Sequence, residues 1–327
     1  MMARTTRIEA PARLHLGFLD PSASRGRRFG SVGLALDNIA TVVHAVPYAE
    51  TQVLGPMHDR AAEHLAVVRA HYGLHAPLRL EIERAIPAHA GLGSGTQLAL
   101  AVGTAALAVH GRHAPVSELA ALLGRGRRSG IGLSLFEQGG LVVDGGHGPD
   151  TVSPPVLARL EFPAEWRVIL VSDAAAEGLS GRAESAAFGI LAPLPAALAA
   201  RLCHATLMGL LPAVAERDFP AFGGAVSEIQ AIVGDHFAQA QDGRYTSRRV
   251  GEVIAWAERH CGVRGVGQSS WGPTGFAFVE SEARGRAVVD EMRARAPDLG
   301  YTLSGARNHG ARVRIDDEPS QARSARA

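Results

Sequence analysis

The chain has 327 residues, 46% of them hydrophobic and only 5% aromatic, which suits an α/β or α+β globule of about two domains and excludes a disordered chain. Its net charge is +1, so no electrostatic field argues for a nucleic acid or a membrane surface, and an anionic ligand has to be met locally. All 33 Lys+Arg residues are arginine, which excludes a lysine Schiff base, a pyridoxal phosphate anchor and a P-loop lysine. In chain order, 5–18 and 31–46 read as strands joined by the loop DPSASRGRRFG, which carries Arg25, Arg27 and Arg28. Residues 60–72 have helical spacing (Ala61, Leu65, Val68, Tyr72), and LRLEIER at 78–84 alternates like a half-buried strand. Residues 96–110 are apolar and small, right for a buried helix, and Ser117 caps a helix ending near Gly124. A glycine-dense segment, RGRRSGIGLSLFEQGGLVVDGGHGPD, follows. Pro154 and Pro155 break the chain, giving expected domains of 1–155 and 156–315, and WRVILVSD reads as a central strand. Helices are expected over 194–216, 219–233, 247–260 and 282–295, then a strand at GARVRI, with 316–327 as a disordered tail. Cys203 and Cys261 make neither a disulfide framework nor a zinc site and read as buried thiols. No apolar run approaches the roughly 18 residues of a membrane span and the N-terminus has no signal-like core, so a cytoplasmic location is expected.

The stretch PAHAGLGSGTQ, Pro87 to Gln97, sits between a strand and an apolar helix. Its glycines let backbone N–H groups converge on an oxyanion, Ser94 and Thr96 add hydroxyls, and the helix offers its positive end. Gly91, Gly93, Ser94, Gly95, Thr96 and Gln97 are therefore candidate phosphate-binding residues; the alternative is a glycine turn needed only for strand–helix packing. A second cluster, GQSSWGPT, offers Gln268, Ser269, Ser270 and Thr274 around the Trp271 ring, either gripping a ligand or forming a surface turn. Glu137, Asp144 and His147 lie close together in sequence and suit either a shared divalent cation or an ordinary hairpin. His15 beside Arg13, and His89 in the first loop, are placed to meet an anion. Arg125, Arg127 and Arg128 precede Ser129 and read as a solvated face, with a phosphate clamp as the alternative.

The first loop resembles the PxxxGLGSS loop of the GHMP small-molecule kinases, and GQSSWGPT stands where that family has its third glycine-rich motif. The resemblance implies an α+β fold: an N-terminal domain like ribosomal protein S5 with a left-handed βαβ unit, and a ferredoxin-like C-terminal domain. One branch is closer, the β-ribofuranosylaminobenzene 5′-phosphate synthases of methanopterin biosynthesis. The residues that carry this are ARLHLGFLD, SVGLALD, IPAHAGLGSGTQLALAV, RSGIGLSLFEQGGLVVDGGH, EGLSG and GQSSWGPT, spread from residue 12 to residue 274. Two departures from the kinases agree with that branch: Gly132 replaces the aspartate of SGxD, and Gly95 replaces the second serine of GLGSS.

What the branch implies is a decarboxylating C-glycoside synthase. It condenses 4-aminobenzoate with phosphoribosyl pyrophosphate, with magnesium, without ATP or pyridoxal phosphate, as a homodimer. The catalytic and magnesium candidates are Asp20, Glu137 and Asp144. The phosphate and substrate candidates are Arg13, His15, Arg25, Arg27, Arg28, the Gly91–Gln97 loop, Ser129, Gln268, Ser269, Ser270 and Trp271. A GHMP-type kinase and a non-catalytic anion-binding protein are the competing readings, and Gly132 weighs against the first.

Overall fold

The computed structural model describes residues 3–178, 181–241 and 243–318. Two long strands, β1 (Ala3–Asp20) and β2 (Phe29–Pro47), pair antiparallel and form the spine. Glycine and charged residues, which break the apolar pattern in sequence, fall at register shifts between Pro11 and Arg13 and between His15 and Gly17, where the strand bends without ending. Then come β3 (Gln52–Leu54), α1 (His58–Tyr72) and β4 (Leu78–Arg84); β3 and β4 are parallel, so the three make a βαβ unit. Next are α2 (Ser94–Val109), α3 (Val116–Leu122), α4 (Ile131–Glu137), β5 (Leu141–Asp144) and β6 (Val156–Leu160). The first sheet runs β11-β1-β2-β4-β3, with β5 pairing to β2 and β6 to β5.

The second half contains β7 (Arg167–Ser172), α5 (Gly181–Ile190) and α6 (Ala196–His204). A π-helical turn (Ala205–Leu210), α7 (Leu211–Glu216), α8 (Phe219–Gln241) and α9 (Arg248–His260) follow. It closes with β8 (Arg264–Gln268), β9 (Gly275–Val279), α10 (Glu282–Arg295), β10 (Gly300–Ser304) and β11 (Arg312–Glu318). Its sheet has the order β10-β7-β9-β8, the ferredoxin-like arrangement, with β7 central. One face packs on α9 and α10 through Ile169, Val171, Ile254 and Met292. The other joins the first sheet in one core that includes Leu14, Leu34, Phe222, Phe276 and Phe278. The remaining face of the first sheet buries α1 and α2.

Several boundaries differ from expectation. The prolines at 154 and 155 lie in the hairpin between β5 and β6, where Gly145 N–H donates to the Pro155 carbonyl, so the first sheet continues to Leu160. Proline marks a hairpin loop as readily as a linker. The expected tail is also shorter: Asp316, Asp317 and Glu318 pair with Thr5, Arg4 and Ala3, because backbone pairing is indifferent to side-chain polarity; residues 319–327 lie outside the described residues. The last strand thus belongs to the first sheet. Ser117 falls inside α3, which starts after Pro115. Ala196–Glu216 is one continuous 21-residue helical run, long and apolar enough by composition to cross a membrane, contrary to the expectation that no run is. Arg201 and His204 hid it from a count of uninterrupted apolar residues. Leu202, Leu210, Ala213 and Val214 pack into the shared core, while Leu207 and Met208 face out. Cys203 is exposed, not buried; Cys261 is buried.

Candidate functional site

The two glycine-rich motifs meet. Ser269 Oγ donates to the Gly91 carbonyl at 2.8 Å and accepts the His15 backbone N–H at 3.0 Å. Arg13 adds its backbone N–H to the Leu92 carbonyl and its guanidinium to the Gly91 carbonyl at 2.8 Å. The approach demands glycine on both sides: a Cβ at Gly91 would lie 2.1 Å from the Ser269 carbonyl oxygen, and one at Gly272 would lie 2.3 Å from the Ala90 carbonyl carbon. Gly178 closes on the same junction, donating to the His89 carbonyl at 3.2 Å; the next two residues of EGLSG, 179 and 180, lie outside the described residues.

Above this junction opens a cleft of about 400 Å³, lined by α2's N-terminus, the 124–129 loop, Arg13, His15 and Phe18 of β1, Arg60, His89 and Ser270 to Gly272. At α2 the Gly93 carbonyl takes the N–H groups of Thr96 and Gln97, which leaves those of Ser94 and Gly95 at the open end of the helix. Among the described residues five arginines line the cleft (Arg13, Arg60, Arg125, Arg127 and Arg128) and no carboxylate does. The cleft is therefore a receptacle for a polyanion.

Arg125 is the inner member of this group. Its Nη2 reaches His64 Nε2 at 3.3 Å, and its Nη1 lies 3.4 Å from where a Cβ would stand on Gly95. Burial, then Arg125 and Arg60, lower the His64 pKa from 6.5 to about 4, so the neutral ring accepts from the guanidinium. An unfolded His64 takes up a proton as pH falls through 6.5 while the folded one resists until about 4. Its contribution to stability is thus complete above pH 6.5 and lost as pH falls towards 4. The urea midpoint should decline over that window, with a shallower slope in His64→Gln; an equal slope in both proteins would remove His64 from this account.

At the other end the cleft is aromatic. The His15 ring lies 4.4 Å from Phe18, Phe18 packs edge-on against Phe188 at 5.8 Å, and Phe188 against Trp271 at 5.3 Å, while Trp271 stacks on Phe237 at 4.1 Å. The Arg128 guanidinium lies 5.9 Å from the Phe188 ring centre. His15 is 2% exposed and Trp271 1%, and their ring nitrogens Nε2 and Nε1 are buried with no hydrogen-bond partner among the described residues.

The structure separates the expected site residues into two groups. Arg13, His15, Gly91, Gly93, Ser94, Gly95, Thr96, Ser129, Ser270 and Trp271 line the cleft. Ser269 and Gln97 lie behind it: Ser269 ties the motifs together, and Gln97, fully buried, donates to the Gly132 carbonyl at 2.8 Å. Gln268 accepts the Thr246 N–H and donates to the Gln241 side-chain carbonyl. Arg25, Arg27 and Arg28 lie outside the cleft. Arg27 donates to the carbonyls of Gly145 and Gly146, Arg28 to that of Pro21, and Arg25 is exposed.

The three expected magnesium ligands do not come together. Asp20 closes its own loop, accepting from Ser22 N–H and from Ser24 N–H and Oγ. Asp144 is fully buried and accepts from the N–H groups of Gly130, at the start of α4, and of Gly146, just after β5. Glu137 is at the other end of that helix. His147 anchors the arginine loop through the Gly126 carbonyl. Among the described residues no cluster of three or more His, Cys, Asp or Glu side chains could hold a metal, and Asp20, Glu137 and Asp144 do not form a shared site. Sequence reasoning missed Arg60 and Phe18 altogether and set Arg125, Arg127 and Arg128 aside as a solvated face. Their one signal was adjacency to Ser129 and Gly130.

The GHMP kinases N terminal domain matches residues 58–138, and the GHMP kinases C terminal domain residues 210–298. A beta-ribofuranosylphenol 5'-phosphate synthase from Archaeoglobus fulgidus is 35% identical over 94% of this chain and 99% of its own. One from Methanothermobacter thermautotrophicus is 33% identical over 93% and 97%. The chain belongs to the beta-ribofuranosylphenol 5'-phosphate synthase family. Solved GHMP structures share this family's fold. A mevalonate diphosphate decarboxylase from Staphylococcus aureus superimposes with a TM-score of 0.67 at 15% identity, covering 95% of this chain and 98% of its own. A homoserine kinase from Cytophaga hutchinsonii gives 0.61 at 18%, covering 94% and 97%.

In this synthase-family chain the two positions that break the kinase pattern meet around Thr96. A Cβ on Gly132 would stand 3.2 Å from Thr96 Cγ2, so an aspartate there would crowd the loop, whereas a Cβ on Gly95 would make an ordinary contact, 3.4 Å, with Arg125 Nη1. At Gly95 the neighbouring groups are the guanidiniums of Arg125 and Arg60, whereas at Gly132 the neighbour is the Thr96 side chain.

Proposed function

We propose that the chain joins C1 of phosphoribosyl pyrophosphate to a para-substituted benzoate, releasing pyrophosphate and carbon dioxide. The observation that carries this is the cleft itself, in which a set of arginines, with no carboxylate among the described residues that line it, stands at a helix N-terminus beside aromatic rings. The arginines and the Ser94 and Gly95 N–H groups hold the leaving pyrophosphate and take up the charge that develops on it, which promotes an oxocarbenium-like C1. The ring carbon bearing the carboxylate attacks C1 with a ring electron pair. The carbon–carboxylate bond then breaks, its pair restores aromaticity, and no proton has to leave that carbon. The protein's work is positioning and anion stabilisation, with no strong general base at the ring.

The relatives' name specifies a phenol, and the sequence motifs resemble a branch named for an aminobenzene. Either para group, hydroxyl or amine, feeds electrons to the attacking carbon, and the same cleft serves both. Magnesium enters this proposal only as part of the substrate, chelated by the donor's pyrophosphate. Accordingly Glu137→Gln should leave the magnesium dependence of the rate unchanged, whereas Asp144→Asn should lower the thermal midpoint by uncapping Gly130 and Gly146. A shifted magnesium requirement in Glu137→Gln would restore that carboxylate as a ligand. A homodimer, a cytoplasmic location and a place in methanopterin synthesis belong to the same proposal.

The deciding assay omits ATP. The protein is incubated with magnesium, phosphoribosyl pyrophosphate and carboxyl-labelled 4-hydroxybenzoate or 4-aminobenzoate, and released carbon dioxide is counted. Release that depends on the donor is expected. No release with either acid, together with ATP consumption on a small alcohol, would replace this reading by the kinase.

A further inference from the structure

We infer that His15 holds the carboxylate of the aromatic acceptor through its Nε2–H, with Phe18 and Trp271 flanking the ring. The inference rests on the reading of the cleft just given and assigns the acceptor's place within it. On β1, Arg13 and His15 both line the cleft but pack on different neighbours: the Arg13 stem on Gly93, the His15 ring on Phe18. The His15 tautomer follows from its neighbour. Gly17 N–H donates to His15 Nδ1 at 3.2 Å, so Nδ1 is an acceptor and the proton of the neutral ring sits on Nε2. That Nε2–H is buried and has no acceptor among the described residues. A buried donor without a partner is costly in the empty protein and becomes satisfied when a ligand supplies an oxygen. Trp271 Nε1 is a second such donor in the same aromatic cluster.

The donor's chemistry selects its ligand. The diphosphate is already matched by Arg60, Arg125 and the α2 N-terminus. A flat ring bearing one anionic oxygen pair matches an aromatic wall with uncharged N–H donors. Burial, and then Arg13, push the His15 pKa well below its ordinary value, so the ring donates without carrying charge. That suits a carboxylate that must leave as carbon dioxide. A guanidinium would stabilise the charge that has to flow back into the ring, whereas a neutral donor fixes the direction of the carboxylate and opposes its departure less.

The test is a pair of variants in the full chain, assayed by steady-state kinetics and by calorimetric binding of 4-hydroxybenzoate without the donor. His15→Leu removes the N–H, and His15→Gln keeps an amide N–H at about the same reach. Both retain the backbone N–H that holds Ser269. In His15→Leu the KM and Kd for the aromatic acid should rise roughly 10- to 100-fold with the donor's KM within about twofold, and His15→Gln should recover most of the loss. A selective rise in the donor's KM, unchanged constants for both substrates, or a loss for both that His15→Gln does not recover would each overturn the assignment. If the wild-type protein releases no carbon dioxide, the functional reading fails on its own. The calorimetric comparison still decides the role of His15, since an acid bound equally by wild type and His15→Leu refutes it.

Discussion

Replacing Arg125 by methionine should lower kcat/KM for the phosphoribosyl donor about 100-fold, the largest kinetic effect expected outside the loop backbone. The side chain is half-buried between α1 and the first turn of α2, and a neutral His64 directs it. Losing one charge-assisted hydrogen bond to a phosphate costs about 1.5–3 kcal/mol, or about 10- to 150-fold. Because charge grows on the pyrophosphate as it leaves, part of the loss should appear in kcat as well as in KM. Lysine should not restore it, since a single ammonium cannot face both His64 and the Gly95 turn. Arg60, exposed at the rim, should matter only a few-fold because water competes for it. Competition by inorganic pyrophosphate provides the check: its inhibition constant should rise with the donor's KM in Arg125→Met. An unchanged inhibition constant would mean that pyrophosphate lies elsewhere.

The largest effect on stability should come from Gly91→Ala. At φ +75 the residue is left-handed, and the added Cβ would meet the Ser269 carbonyl oxygen at 2.1 Å. Backbone strain of about 1–3 kcal/mol then adds to overpacking of about 1–3 kcal/mol. Because the obstacle is backbone, relief requires the two motifs to part, and donor binding should fall with the thermal midpoint. Gly26→Ala is the control. Gly26 also has positive φ, +84, but nothing lies within 4 Å of its added Cβ, so only the strain of about 1 kcal/mol should register. Equal midpoints for the two variants would show that contact between the motifs contributes nothing.

The glycine loop at the start of α2 was legible because its signal is local. Glycines, hydroxyls and a helix start lie within one heptad, and the structure places Ser94 at the first position of α2 as that reading requires. The arginines divided the other way. Arg25, Arg27 and Arg28 looked like the clamp, yet Arg27 and Arg28 are taken up by loop carbonyls. Arg125, Arg127 and Arg128 looked like a solvated face, yet they line the cleft. An arginine's partner depends on which backbone passes within reach, and charge patterning does not encode that. The acid trio failed for a related reason. Sequence proximity put Glu137 and Asp144 in one cleft, but Glu137 ends α4 while Asp144, at the end of β5, accepts from the Gly130 N–H at the start of that helix.

By itself, then, the sequence determined the family, the two-part α+β architecture, the glycine loop that opens α2 and the loss of the kinase residues at Gly95 and Gly132. Each is written in short-range pattern, where residue identity dictates backbone freedom or chemistry directly. Only the tertiary structure decided that β6 and β11 complete the first sheet, that Gly91 and Gly272 touch, and that Arg60 and Arg125 converge on one helix end. It also decided that the His15 and Trp271 ring nitrogens are buried without partners beside the same cleft. These depend on which distant segments share a core, and that is settled by the summed packing of two sheets and not by any single stretch of chain.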